Sequence, residues 1–167
     1  SHSSIFIAQF YYACIIINIL SLMKAEETID FPIRWAWHHI SRLYNAEAAK
    51  YGASLSLGYI LLNIDLENGT PSTSLGPKLG MEPTSLVRTI KRMEELELLE
   101  RRPCQTDKRK VFLHLTDLGL EKRELSKSVV KRFNKELQSH IPKEELNSFL
   151  QTMGKINNIL TNEEIFK

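Results

Sequence analysis

LGMEPTSLVRTIKRMEELELLERR, residues 79–102, is followed after three positions by TDKRKVFLHLT, residues 106–116. Wound as a helix from Pro83 to about Leu96, at about 100° per residue, the first stretch gathers Leu86, Ile90 and Met93 within about 60° of one another. Thr84, Arg88 and Lys91 fall on the opposite side, with Ser85 and Arg92 on its flank. Pro83 suits the first turn of such a helix, where a proline loses no hydrogen bond. The free N–H groups and the dipole at that end favour an anion. Arginine can grip a guanine edge with two hydrogen bonds, and hydroxyls can reach phosphates or bases. Taken alone, however, this is an ordinary amphipathic surface helix.

Its neighbours change the reading. LLERR and VFLHL are short apolar or alternating runs around PCQTDKRK, which predicts a β-hairpin with a charged tip. Lys108, Arg109 and Lys110 make that tip cationic, and Asp107 can orient Arg109 through a charge-assisted hydrogen bond. A cationic finger of this kind suits the negative potential of a minor groove. Upstream, Ser72 to Gly80 reads as a short helix, with Pro77 expected to make it irregular or confine it to its first turns. Short helix, turn, cation-faced helix and cationic hairpin form the order of a helix-turn-helix with a wing.

The flanks are helical. Asp30 is placed to cap a helix with Pro32 in its first turn, running to a stop at Gly52. Ile33, Trp37, Ile40 and Tyr44 recur in it at helical spacing. A second helix starts after Ser54 or Ser56, passes through LGYILLNIDLEN and stops at Gly69. After the hairpin, Thr116 caps a long helix over about 117–140, and Pro142 opens another to about Leu160. Glu144 and Glu145 suit the positive start of that last helix. The fold class is mainly α, with a winged helix-turn-helix lobe and a two-stranded wing.

The bulk numbers agree with a folded protein. The chain has 167 residues, enough for one ordinary domain, with 43% hydrophobic and 25% charged residues. The net charge is only +2, but residues 72–110 hold nine Lys/Arg against six Asp/Glu. Residues 24–71 hold four against six. The positive excess therefore sits where phosphates could meet it. Cys14 and Cys104 match no metal spacing and fit a reducing cytosol. His38 and His39 point about 100° apart on a helix and make no ready metal pair. No phosphate-cradling glycine loop, nucleophile–base pattern or metal cluster can be picked out, so neither enzyme activity, cofactor nor metal is expected.

Residues 1–23 carry no Asp, Glu, Lys or Arg, and Ile5 to Met23 is mostly apolar. Its length allows a membrane span, but Gln9, Asn18 and Ser21 weaken that reading. It can also be upstream sequence before a natural start at Met23, with Ser1-His2 resembling a remnant of tag cleavage. The preferred reading is an apolar arm packed against protein, and no membrane partner is expected.

The stretches 79–102 and 106–116, with Leu115-Thr116-x-x-Gly119, resemble the multiple antibiotic resistance regulator (MarR) family, and the resemblance spans about residues 30–160. Its Asp-x-Arg wing motif is matched by Asp107 and Arg109, and its recognition-helix hydroxyls and arginine fall on Thr84, Ser85 and Arg88. The resemblance implies a bacterial, cytoplasmic, homodimeric transcription regulator that acts as a repressor on double-stranded palindromic DNA. Residues 54–116 would form the DNA-binding lobe, and 24–53 with 117–167 a helical dimerisation region. Thr84, Ser85, Arg88, Lys91, Arg92, Asp107, Lys108, Arg109 and Lys110 would contact DNA. A small aromatic effector would bind near Trp35, Trp37, His38, His39, Tyr44 and Tyr59, although aromatics at helical spacing are more often core. Cys104, near Arg101 and Arg102, is a candidate redox thiol, with an unreactive thiol the preferred reading. Two departures stand out: Glu97 where the family has a helix-ending glycine, and Gly76-Pro77 in the preceding helix. The rival reading is a winged-helix protein-interaction module that does not bind DNA.

Overall fold

A computed structural model describes residues 24–104, 107 and 110–162. The segment 1–23 and, in the wing, Lys108 and Arg109 lie outside the described residues. The chain divides into two compact units, one ending at Leu55 and the other beginning at Ser56.

The first unit is dominated by α1, Asp30–Ala49. Asp30 is not its cap, contrary to expectation: it is the first helical residue, and Ile29 before it already has helical angles. A single 3-10 turn, Ala25–Glu27, precedes it, so the chain enters α1 already coiled. The extended residue whose side chain could cap the helix is missing. After Ala49 the chain turns, with Gly52 at φ 66° and the Ala53 amide donating to the Ala48 carbonyl at 3.0 Å. The Asn45 side chain accepts from the Leu55 amide at 3.0 Å, which fixes the exit.

Helix α2, Leu55–Asn63, belongs to the second unit apart from its first residue. It ends earlier than Gly69 because Asp65 offers the backbone a competing acceptor. Its carboxylate takes the amides of Glu67 and Asn68 at 2.9 and 2.8 Å, while Thr70 Oγ1 takes the Asp65 amide at 2.8 Å. Strand β1, Thr70–Pro71, and helix α3, Ser72–Leu79, follow. The helix continues through Pro77, which was expected to disturb it. Thr73 and Pro77 are both exposed, so water can replace the one hydrogen bond the ring removes. Gly80, at φ 60°, closes α3 with bonds from its own amide to Pro77 and from Met81 to Gly76. That tight turn leads into α4, Pro83–Glu95.

Strands β2, Leu99–Pro103, and β3, Val111–Leu115, pair antiparallel, with Leu99 opposite Leu115 and Arg101 opposite Leu113. The wing is therefore two-stranded, as its sequence suggests, but β1 adds a third strand on the other edge of β3. The order is β1-β3-β2. Leu57, Ile60, Leu61, Ile64, Leu75, Leu86, Ile90, Met93, Leu98, Leu99 and Leu113 form the buried apolar core of this unit. Helices α5, Asp117–His140, and α6, Lys143–Thr161, complete it.

Thr116 caps α5 as expected, accepting from the Gly119 amide at 3.0 Å. The same hydroxyl donates to the Glu97 carbonyl at 2.6 Å. The glycine is required by a close approach: a Cβ at 119 would lie 1.9 Å from the Leu98 carbonyl oxygen. Leu-Thr-x-x-Gly is thus the joint between the wing, the end of α4 and α5. Further along α5, Arg123 Nη1 donates to the carbonyls of Leu61 and Ile64 at 2.6 and 2.8 Å, placing a cation at the C-terminal end of α2.

Candidate nucleic-acid interface

The side chains of α4 divide as the helical repeat requires. Leu86, Ile90 and Met93 are buried in the lobe. Thr84, Ser85, Arg88, Lys91 and Arg92 are exposed. Helix α3 presses against α4 at Gly76, where a Cβ would come within 3.4 Å of Leu86 Cδ2. A methyl group there would meet only ordinary contacts, so the packing tolerates this departure from the family pattern without requiring it. Pro83 occupies the first position of α4, behind an extended Glu82, so the free amides of the first turn face outward from a fixed start.

Ion pairs leave part of the cationic surface available. Arg92 reaches Glu95 at 3.3 Å, and both side chains are solvated. Arg101 holds Glu94 through Nε and Nη2 at 2.6 and 3.2 Å, a two-point clamp between β2 and the end of α4. Arg102 pairs with Glu100 on its own strand. Among the described residues, Arg88 and Lys91 have no such partner. The exposed stripe thus combines hydroxyls with two uncommitted cations.

The end of α4 has an unusual backbone. Glu97 stands at φ 56°, in the left-handed region. Its amide bonds to Glu94 and that of Leu98 to Met93, each at 2.9 Å. This is the hydrogen-bond pattern that normally uses glycine. The helix end is therefore preserved despite the Glu97 departure, with strain stored at that residue.

In the wing, the Cys104 amide donates to the Lys110 carbonyl, and the Lys110 amide to that of Asp107, both at 2.9 Å. Lys110 is exposed and Asp107 is half-buried. The expected Asp107–Arg109 contact lies outside the described residues. Cys104 is half-buried, and the two arginines near it in sequence are engaged by carboxylates.

The proposed effector residues fall in different places. Trp35, Trp37, His38 and His39 are exposed on α1, and Tyr44 there is half-buried. Trp35 stacks on Phe31 at 6.3 Å and on His38 at 5.9 Å, with His39 edge-on at 4.9 Å. Tyr59 belongs to the second unit, where burial pushes its phenol pKa up. Among the described residues no cluster of His, Cys, Asp or Glu could hold a metal ion, and no helix is long and apolar enough to cross a membrane.

Two features escaped the sequence. Strand β1 is two residues long and contains a proline, so it has no alternation to read. Val87 lies on the solvent side of α4 although it is apolar. Its position one turn from both Thr84 and Lys91 could have revealed it.

Residues 54–111 match the MarR family model. The chain is 28% identical over 92 residues to an uncharacterized HTH-type transcriptional regulator, YdgJ, of Bacillus subtilis, covering 55% of this chain and 56% of that relative. It therefore spans little more than half the length of that curated relative. A structure of the S. aureus MepR–DNA complex superposes with a TM-score of 0.72 at 16% identity, over 78% of this chain and 97% of the other. CouR from Rhodococcus jostii, bound to p-coumaroyl-CoA, gives 0.71 at 19% identity, over 80% and 94%. These two similarities establish the mainly helical winged-helix fold. Over the matched segment, the clamp on α4 and the Leu-Thr-x-x-Gly joint hold together a winged helix-turn-helix lobe, and residues 54–111 of that lobe are similar to the MarR family.

Proposed function

We propose that this chain is a cytoplasmic transcription regulator that binds a palindromic DNA operator as a homodimer, with repression its mode of action. One observation carries the reading: α4 is anchored by Leu86, Ile90 and Met93 while Thr84, Arg88 and Lys91 face solvent on its other side. A rigid helix with such a face can lie in a major groove, where Arg88 reads a base and Lys91 meets phosphate. Ser85 and Arg92 flank the contact, and Asp107, Lys108, Arg109 and Lys110 belong to the wing that reaches the adjoining backbone or minor groove. The MepR–DNA complex supports this use of the shared fold.

The homodimer is supported by unpartnered apolar surface. Helices α1 and α6 have no fully buried side chain, and α5 buries only Gly119. Phe149, Leu150, Ile159 and Leu160 on α6 are all more than half exposed. Apolar surface on this scale calls for a protein partner. A small aromatic effector is proposed on the analogy of the CouR complex, with the α1 aromatics and Tyr59 as separate candidate contacts. Nothing in the lobe favours the protein-interaction alternative over DNA, since the exposed side of α4 is cationic.

The test is selection of bound sequences from a random duplex pool by the purified chain. The expected result is a two-fold symmetric site with half-sites about one helical turn apart. Recovery of unenriched sequence, with no retardation of any duplex at low salt, would remove the DNA-binding reading.

A further inference from the structure

Val87 interrupts the chemistry of the face it occupies. Thr84, Val87, Arg88 and Lys91 stand at i, i+3, i+4 and i+7, a single stripe along the side of α4 away from the core. Three of the four are polar. Val87 is 63% exposed, more than any other hydrophobic residue of the lobe's helices and strands. It adds nothing to the core, which Leu86, Ile90 and Met93 fill. It does not serve the helix either, because a β-branched residue at a solvated helical position is less favourable than alanine. A compact, branched apolar group set among an uncommitted arginine, an uncommitted lysine and a hydroxyl matches one feature of a major groove. That feature is the C5-methyl group of thymine, the only apolar group a base pair presents there.

We propose that Val87 is a specificity-determining residue that contacts a thymine methyl in each half-site. The inference rests on the DNA-binding reading given above. On an α-helix, Val87 and Arg88 are adjacent in sequence and diverge by about 100°, so they address neighbouring base pairs rather than the same one. A half-site with a guanine read by Arg88 and a thymine beside it follows from that spacing. Val87 supplies no hydrogen bond, so its discrimination comes from the methyl group alone.

The experiment uses the full chain and the duplex selected from the random pool. Each thymine of one half-site is replaced in turn by deoxyuridine, which deletes the methyl and leaves every hydrogen-bonding group in place. Affinity is measured by fluorescence anisotropy. One replacement should weaken wild-type binding about fourfold, the worth of one buried methyl group. With Val87→Ala the same replacement should have no effect, and Val87→Thr, which keeps one methyl, should restore part of it. Circular dichroism checks that both variants remain folded. If no position is sensitive to loss of its methyl, or if Val87→Ala keeps the wild-type penalty, the assignment of Val87 is wrong while the DNA-binding reading stands. If the wild-type chain selects no duplex at all, the failure belongs to that broader reading and removes both.

Discussion

Two side chains on α4 carry opposite lessons about single residues. Arg88 is exposed and makes no ion pair among the described residues, and its proposed role is a contact with DNA. Replacing it with alanine should leave thermal unfolding unchanged but reduce affinity for the selected duplex by roughly 1–3 kcal/mol and relax preference at one base pair. Unchanged affinity in an anisotropy titration would show that the base-reading role was misassigned. Glu97 is the reverse, a residue whose cost is internal. It holds φ 56°, which strains any side chain with a Cβ, and it does so where helix closure demands that geometry. Glu97→Gly relieves the strain, while the freer unfolded chain offsets part of the gain. A net stabilisation of roughly 0.5–1 kcal/mol is expected in urea unfolding. Sequence alone could mark Glu97 as a departure; only the backbone shows that the departure changes the energy of the helix end and not its shape.

The elements were read well where periodicity was strong. Leu86, Ile90 and Met93 identify the buried side of α4 because thirteen residues give the repeat time to declare itself. Reading failed where local side-chain chemistry overrides the repeat. Apolar spacing continues through Ile64 and Leu66, so α2 reads as longer than it is; Asp65 ends it by capturing two amides. Those amides and Arg123 also hold its carboxyl pKa below the usual carboxylate range. A carboxylate with a lowered folded pKa adds stability above its unfolded pKa of about 3.9, and loses it as pH falls through the folded value. The wild type should therefore be more stable than Asp65→Asn at pH 6, with the difference closing as the pH falls below the ordinary carboxylate range. A gap that stays constant with pH would mean the charge contributes nothing to the turn. Gly119 tests a different element junction. An added methyl group there would meet the Leu98 carbonyl, so Gly119→Ala should destabilise the fold by about 2 kcal/mol or more. An unchanged unfolding midpoint would show that the β2–α5 contact is looser than described. The role of this glycine was visible in sequence as a pattern, but its reason required the distance.

On the scale of the whole molecule, one winged lobe cannot explain a symmetric operator. The purified chain should sediment as a dimer at micromolar concentration, and a duplex with a single half-site should bind much more weakly than the full site. Binding should also weaken steeply with salt. Each phosphate contact adds about 0.9 to the slope of log K against log salt, so Lys91→Ala should reduce that slope by about two in a dimer. An unaltered slope would move Lys91 away from phosphate. The assembly itself was the least legible level: the exposed apolar residues of α6 support the proposed dimer, but their spacing in sequence reads equally as an ordinary amphipathic helix. One junction nevertheless limits what any partner or effector can do to the lobe. A single threonine hydroxyl, at 116, serves the final loop of α4 and the Gly119 amide of α5 together. The wing lies between the two helices in sequence, yet this one hydroxyl joins their ends like the pin of a bent lever. Movement at the start of α5 would reach the end of α4 through that pin, without passing along the wing.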